Sequence, residues 1–230
     1  MSILQLKDCC MNFGGLAAVA DLNAEIDPDD LLGMIGPNGA GKTTVFNMIT
    51  GVYRPTSGGV LFNGRDIAGM KPYQIGALGI ARTFQNIRLF SSLTVFQNVQ
   101  VSLNKSLNHG FSHSILQLKR FHDEEKQVFR EIEEILEIFN LSVVKHEPAT
   151  SLPYGDQRRV EIARALAMKP KLLLLDEPAA GMNPTEKIDL MRLIRSVKDR
   201  FNIAILLIEH DMKVVMGICE RIIVDRKSVV

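Results

Sequence analysis

The sequence predicts an α/β fold built on a central, mainly parallel sheet. Three observations predict it. Short apolar runs flanked by turn residues alternate with longer segments of helical period. One buried run, residues 31–35, feeds a glycine-rich turn and then a helical segment. Between Gln85 and about Arg164 the strand signal disappears and helical periodicity takes over, which marks a helical insert. At 230 residues, a chain buries roughly 70% of the surface its unfolded form exposes, so a core forms without covalent staples.

The elements read in order. Residues 3–7 read as an edge strand, 31–35 as a buried strand and 43–49 as a helix. Residues 59–62 and 80–84 read as strands, as do 171–175, 203–208 and 221–225 by their length and β-branched or leucine content. In the insert, Val128, Ile132, Ile135, Leu136 and Phe139 fall on one helical face, and Arg130, Glu131, Glu133, Glu134 and Glu137 on the solvated other side. Residues 104–114 read as a surface loop. His109 and His113 stand four apart there without carboxylate or cysteine company, so a metal site is not indicated.

Composition narrows the partners. A formal net charge of +1 gives no bulk drive toward DNA or RNA, so nucleic acid is not an expected partner. Cys9, Cys10 and Cys219 have no metal-like spacing and read as buried or free thiols in a reducing compartment. Residues 1–8 lack the order of a signal peptide, and no run approaches the ~18 apolar residues of a spanning helix. Membrane association is therefore expected only through a partner.

The strongest chemical signal is Gly36-Pro37-Asn38-Gly39-Ala40-Gly41-Lys42-Thr43, followed by Thr44, which fits G-x-x-x-x-G-K-[ST] between a strand and a helix. Glycines let successive N–H groups turn inward on phosphate oxygens, and the helix aims its positive end at the same anion. Lys42 supplies a point charge for the β and γ phosphates, and the Thr43 hydroxyl a Mg²⁺ ligand. Next, the run Lys171-Leu172-Leu173-Leu174-Leu175-Asp176-Glu177 presents two carboxylates at the carboxyl end of a buried strand, where open α/β sheets bind ligands. Asp176 suits Mg²⁺. Glu177 suits orientation and deprotonation of an attacking water.

With Ser151-Leu152-Pro153-Tyr154-Gly155-Asp156-Gln157, these elements resemble the ABC ATPase superfamily across the whole chain. That resemblance implies a P-loop NTPase core with a mainly parallel central sheet, an N-terminal antiparallel β subdomain and an inserted helical subdomain. It divides the chain into a RecA-like nucleotide-binding core, residues 1–85 and 165–230, and a helical signature subdomain, 86–164, within a single cassette. It implies that Pro153, Tyr154, Gly155 and Asp156 meet the γ-phosphate held by a second ATP-binding subunit, identical or different, so that two subunits enclose two ATP molecules. It also implies that Phe13 stacks on adenine with Val19 as a second apolar contact, that Gln85 joins the Mg²⁺ shell, and that His210 contacts the γ-phosphate and holds the catalytic water. Lys42, Glu177 and His210 are then the expected catalytic set, with ATP and Mg²⁺ bound.

Longer stretches resemble the ATP-binding subunits of branched-chain amino acid importers: residues 13–19, 49–58, 179–184 and 208–219. This implies uptake of branched-chain or related amino acids, with permease subunits contacted through residues 85–99 and, indirectly, a periplasmic solute-binding protein. The expected location is peripheral, on the cytoplasmic face of the inner membrane. A soluble ABC protein without transport, or a regulatory nucleotide-binding module, is the alternative.

The sequence also departs from that pattern. Pro153 replaces the usual signature Ser and offers neither hydroxyl nor N–H. Tyr154 and Asp156 replace a Gly and a Gln, and the Asp156 charge is expected to weaken polyphosphate binding unless Arg158 or Arg159 offsets it. Asn183 stands where the superfamily usually has an intersubunit Asp. Relatives continue past the last strand into a second strand and a terminal helix, so a truncated tail is expected after residues 226–230.

Overall fold

The computed structural model describes residues 2–37, 39–103 and 118–224, with 118–125 described by backbone alone. Asn38, the loop 104–114 with His109 and His113, Asp225 and the tail 226–230 lie outside the described residues. The chain divides into two compact units, Met1–Gln85 with Pro170–Val230, and Asn86–Lys169.

The first unit holds two sheets. Strands β1 (Leu4–Phe13), β2 (Leu16–Ile26), β4 (Ser57–Phe62) and β5 (Arg65–Asp66) form an antiparallel sheet in the order β2-β1-β4-β5. The sequence placed residues 3–7 on an edge; β1 instead lies inside this sheet. Gly14 (φ 58) and Gly15 turn the chain between β1 and β2, so residues 16–26 fold back and cover the expected edge. Their strand signal is blurred by polar residues and by Asp21, whose φ of 46° accompanies an irregular register.

A second, parallel sheet runs β6 (Ile80–Arg82), β7 (Leu172–Asp176), β8 (Ala204–Ile208), β3 (Leu31–Ile35) and β9 (Arg221–Val224) in the order β6-β7-β8-β3-β9. Residues of β7 and β8 are buried without alternation, as parallel strands covered on both faces require. Burying each Leu of β7 is worth up to ~2–3 kcal/mol, which fixes the strand and the carboxylates at its end. Strand β6 stops at Arg82, two residues short of the sequence expectation, where the Thr83 hydroxyl takes over by accepting from Asp176 N–H. Helix α1 (Lys42–Ile49) buries Val45, Phe46, Met48 and Ile49 in the core shared by both sheets. Helices α2 (Pro72–Leu78), α6 (Pro184–Phe201) and α7 (Met212–Ile218) complete the unit.

The second unit is helical: α3 (Val95–Leu103), α4 (Leu118–Ile138) and α5 (Tyr154–Leu166), with 3-10 turns at Ser142–Val144 and Ala149–Ser151. The expected stripe on α4 is inward, with Ile132, Ile135, Leu136 and Phe139 buried and Val128 half-buried. Glu131 and Glu133 on its other side pair with Lys169 and Lys145. Helix α5 runs unbroken to Leu166, which carries the unit boundary to Lys169, past the expected 164. No helix among the described residues is long and apolar enough to cross a membrane.

Candidate functional site

Parallel pairing gathers the sequence motifs at one sheet edge. Ile208 of β8 stands opposite Asp176 of β7 on one side and Met34 of β3 on the other. The segments that leave these three strands, 36–41, 177–183 and 209–211, therefore emerge together at the carboxyl edge.

After β3 the chain curls tightly. Gly41 has φ 95°, and a Cβ there would lie 2.3 Å from the Ala18 carbonyl oxygen, so only glycine fits. Gly39 is also left-handed, at φ 81°, but a Cβ there would meet nothing within 4 Å. Ala40 N–H donates to the Pro37 carbonyl at 3.1 Å. Lys42 Nζ lies under the curl and donates to the carbonyls of Gly36 at 2.7 Å and Pro37 at 2.9 Å. Helix α1 begins with no side-chain cap and no acidic residue in its first turn, so its leading N–H groups and its dipole suit an anion. Thr43 is exposed at this end and Thr44 half-buried.

The carboxylates at the end of β7 have different partners. Asp176 is 2% exposed, and its Oδ2 lies 2.8 Å from Arg82 Nη2. Arg82 Nη1 also donates to Asn47 Oδ1 at 2.7 Å, and the guanidinium sits 5.3 and 5.1 Å from the rings of Phe46 and Phe84. Glu177 bridges two side chains expected at the site: Gln85 Nε2 donates to its Oε2 at 2.8 Å, and His210 Nε2 lies 2.5 Å from its Oε1. Its backbone is left-handed, φ 47°, which costs a non-glycine residue ~1–3 kcal/mol and persists only where surroundings enforce it. Glu177 N–H donates to the Ile208 carbonyl at 2.9 Å, and Ala180 N–H closes the turn onto Glu177 at 3.2 Å.

Glu209 is 4% exposed. Its two oxygens accept from Ala179 N–H at 2.7 Å and His210 N–H at 3.2 Å. Burial pushes this carboxyl above its ordinary range, and the N–H groups of Ala179, His210 and Asp211 pull the other way. Sequence reasoning missed Arg82 and Glu209 as site residues. Each is visible only as a charged residue directly inside a motif, Arg82 before Thr83-Phe84-Gln85 and Glu209 before His210.

Among the described residues, no cluster of three or more His, Cys, Asp or Glu could hold a metal by itself. An exposed Thr43 hydroxyl and one buried carboxylate, Asp176, instead match Mg²⁺, which keeps few protein ligands and takes the rest from phosphates and water.

The remaining expected residues are placed as follows. Phe13 ends β1, is 43% exposed and packs edge-on against Tyr53 at 5.2 Å. Val19 is buried at 3% in the core, close enough to Gly41 that an added Cβ would touch it at 3.0 Å. It therefore supports the phosphate loop from below rather than standing open to a base. In the helical unit, Pro153 is the N-cap of α5, with its carbonyl accepting from Asp156 and Gln157 N–H, both at 3.0 Å. Tyr154 is exposed and Gly155 half-buried in the first turn. Asp156 pairs with Arg159 at 3.4 Å. Arg158 is fully buried, 2.7 Å from Glu161, and donates to the Tyr154 hydroxyl at 3.1 Å. Asn183 caps α6, its Oδ1 accepting from Thr185 and Glu186 N–H at 3.0 Å each.

The ABC transporter family model matches residues 19–180. Two relatives are the high-affinity branched-chain amino acid transport ATP-binding proteins LivG of Escherichia coli K12, 44% identical, and BraF of Pseudomonas aeruginosa, 43% identical. Each alignment covers 96% of this chain and 87% of the relative. Among solved structures, MJ1267, an ATP-binding cassette of an ABC transporter, matches with a TM-score of 0.83 and 29% identity over 97% of this chain and 87% of its own. The cbiO1 component of the cbiONQ ABC transporter complex from Clostridium perfringens matches with a TM-score of 0.84 and 27% identity, over 97% of this chain and 84% of its own. With that family model spanning most of the chain and relatives 43% and 44% identical along nearly all of it, the chain belongs to the ABC transporter family.

Proposed function

We propose that this subunit powers uptake of branched-chain or related amino acids, closing with a second ATP-binding subunit around two ATP molecules. The single observation that carries the hydrolytic part is the carboxylate of Glu177, held between Gln85 and His210 at the edge that also bears the phosphate loop. Identity of 44% to an importer subunit over 222 residues supports the transport part.

In this reading the N–H groups of 39–43 and the dipole of α1 bind the β and γ phosphates. Lys42 turns its ammonium from the Gly36 and Pro37 carbonyls to the phosphates, exchanging two carbonyl acceptors for anionic ones. Phe13 stacks on the adenine. Thr43 and Asp176, with Gln85 beside them, would hold Mg²⁺, which would offset phosphate charge when bound. Glu177 orients a water and takes its proton as the water oxygen bonds to the γ phosphorus and the bond to the β-phosphate oxygen breaks, leaving ADP and phosphate. His210 holds Glu177 and the γ-phosphate in register. The α5 N-terminus, residues 153–156, presents backbone N–H groups to the γ-phosphate on the other subunit; Pro153 contributes none, and Arg159 screens Asp156. Residues 85–99 pass the closure to permease subunits at the cytoplasmic face of the membrane.

The test is transport. The subunit purified with its membrane partners, in proteoliposomes with ATP on its own side, should take up radiolabelled leucine, isoleucine or valine in the presence of the cognate solute-binding protein. An intact, ATP-hydrolysing complex that moves none of these or related amino acids would contradict the substrate class.

A further inference from the structure

Glu209 plays no part in the hydrolytic scheme above, yet its place is unusual. A carboxylate is expensive to bury, and this one is 4% exposed. It makes no ion pair among the described residues; its two oxygens accept from the backbone N–H groups of Ala179 and His210, and the Asp211 N–H also favours the charged form. The Ala179 and His210 N–H groups both belong to segments that meet Glu177. Ala179 lies inside the turn that Glu177 opens with its left-handed backbone and Ala180 N–H closes, and His210 carries the imidazole 2.5 Å from Glu177 Oε1.

We infer that Glu209 is a positioning residue for hydrolysis: its carboxylate clamps the backbone on both sides of Glu177 and so fixes the distance between Glu177 and His210. The inference rests on the ATPase reading of Glu177. Such a clamp needs two acceptor oxygens on one rigid group. A glutamine keeps one and points an N–H₂ donor at the other N–H, so it frees either the turn at Ala179 or the His210 backbone. A purely structural carboxylate would affect stability and leave the split between binding and chemistry alone. A clamp acting on Glu177 and His210 instead lowers kcat at unchanged nucleotide affinity, because the phosphate loop and Phe13 do not depend on it.

The experiment measures single-turnover ATP hydrolysis, ATP affinity and Tm for wild type, Glu177→Gln, Glu209→Gln, His210→Ala and the Glu209→Gln/His210→Ala double variant. Wild-type turnover that Glu177→Gln abolishes secures the underlying reading independently of Glu209. Given that, Glu209→Gln should lower the rate at least tenfold with ATP affinity within threefold of wild type. Its effect should shrink to threefold or less in the His210→Ala background, since both variants loosen the same contact. Should Glu209→Gln prove insoluble, Glu209→Asp keeps both oxygens one methylene short and carries the same expectation of a slowed rate at unchanged affinity. A rate within twofold of wild type overturns the inference. So does a rate loss that is fully additive with His210→Ala, which would mark Glu209 as structural.

Discussion

Gly41→Ala isolates the geometry of the phosphate loop. At φ 95° the new residue leaves the region open to L side chains, a strain of ~1–2 kcal/mol. Its Cβ would also lie 2.3 Å from the Ala18 carbonyl oxygen, whereas ordinary contact begins at 3.4 Å, so loop and β2 must part by about 1.1 Å. Because α1 starts at Lys42, that displacement moves the N–H groups which face the phosphates. A shift of this size at a positioned group costs up to ~100-fold, so ATP affinity is expected to fall ~10- to 100-fold, or ~1.4–2.7 kcal/mol. Gly39→Ala is the control: φ is 81°, and nothing lies within 4 Å of its Cβ, so it carries strain without collision. Its affinity should stay within ~3-fold, below 1 kcal/mol. Calorimetric titration with a non-hydrolysable ATP analogue, with Tm as a check on folding, measures both. Wild-type affinity in Gly41→Ala, or equal losses in the two variants, would refute the reasoning.

Other outcomes follow from single contacts. Arg82→Met leaves Asp176 buried without its ion pair, and a loss of ~3–5 kcal/mol is expected in urea unfolding. Asn183→Ala removes the cap of α6 and should cost ~1 kcal/mol, a Tm drop of ~2–4 °C, while Asn183→Asp, which keeps the acceptor, should not. Burial raises the Cys219 thiol to about 12; a group shifted upward stays protonated below that value, so at pH 8 its thiolate is only ~1 part in 10,000. Iodoacetamide at that pH should leave Cys219 unmodified in the folded chain and label it in urea, as read by peptide mass spectrometry.

What the sequence reveals and what it hides divide along physical lines. The phosphate loop is legible because its eight motif positions, residues 36–43, are contiguous in the sequence and run directly into helix α1. The β7 carboxylates are legible because four leucines define a strand and its end. Strand β2 is harder, since a bulge at Asp21 interrupts its alternation and only the Gly14-Gly15 turn signals a hairpin. Arg82 and Glu209 are harder still. Their significance lies in partners 94 and 30 residues away, which no local pattern encodes. Val19 reads from family register as a second apolar contact to adenine, yet it is buried in the core beside the close approach of Gly41 to β2. Asn183 shows the reverse: Asn183-Pro184-Thr185-Glu186 is a helix-start pattern in its own right, and the structure uses it as one.

The central claim is that this chain hydrolyses ATP with Glu177 as the group that activates water. The direct measurement is single-turnover hydrolysis of radiolabelled ATP by excess protein with Mg²⁺, comparing wild type with Glu177→Gln. Wild type should release phosphate and the variant should lose at least ~100-fold, with ATP still bound. Equal release by the two proteins, or none by a wild type that binds ATP, would contradict it.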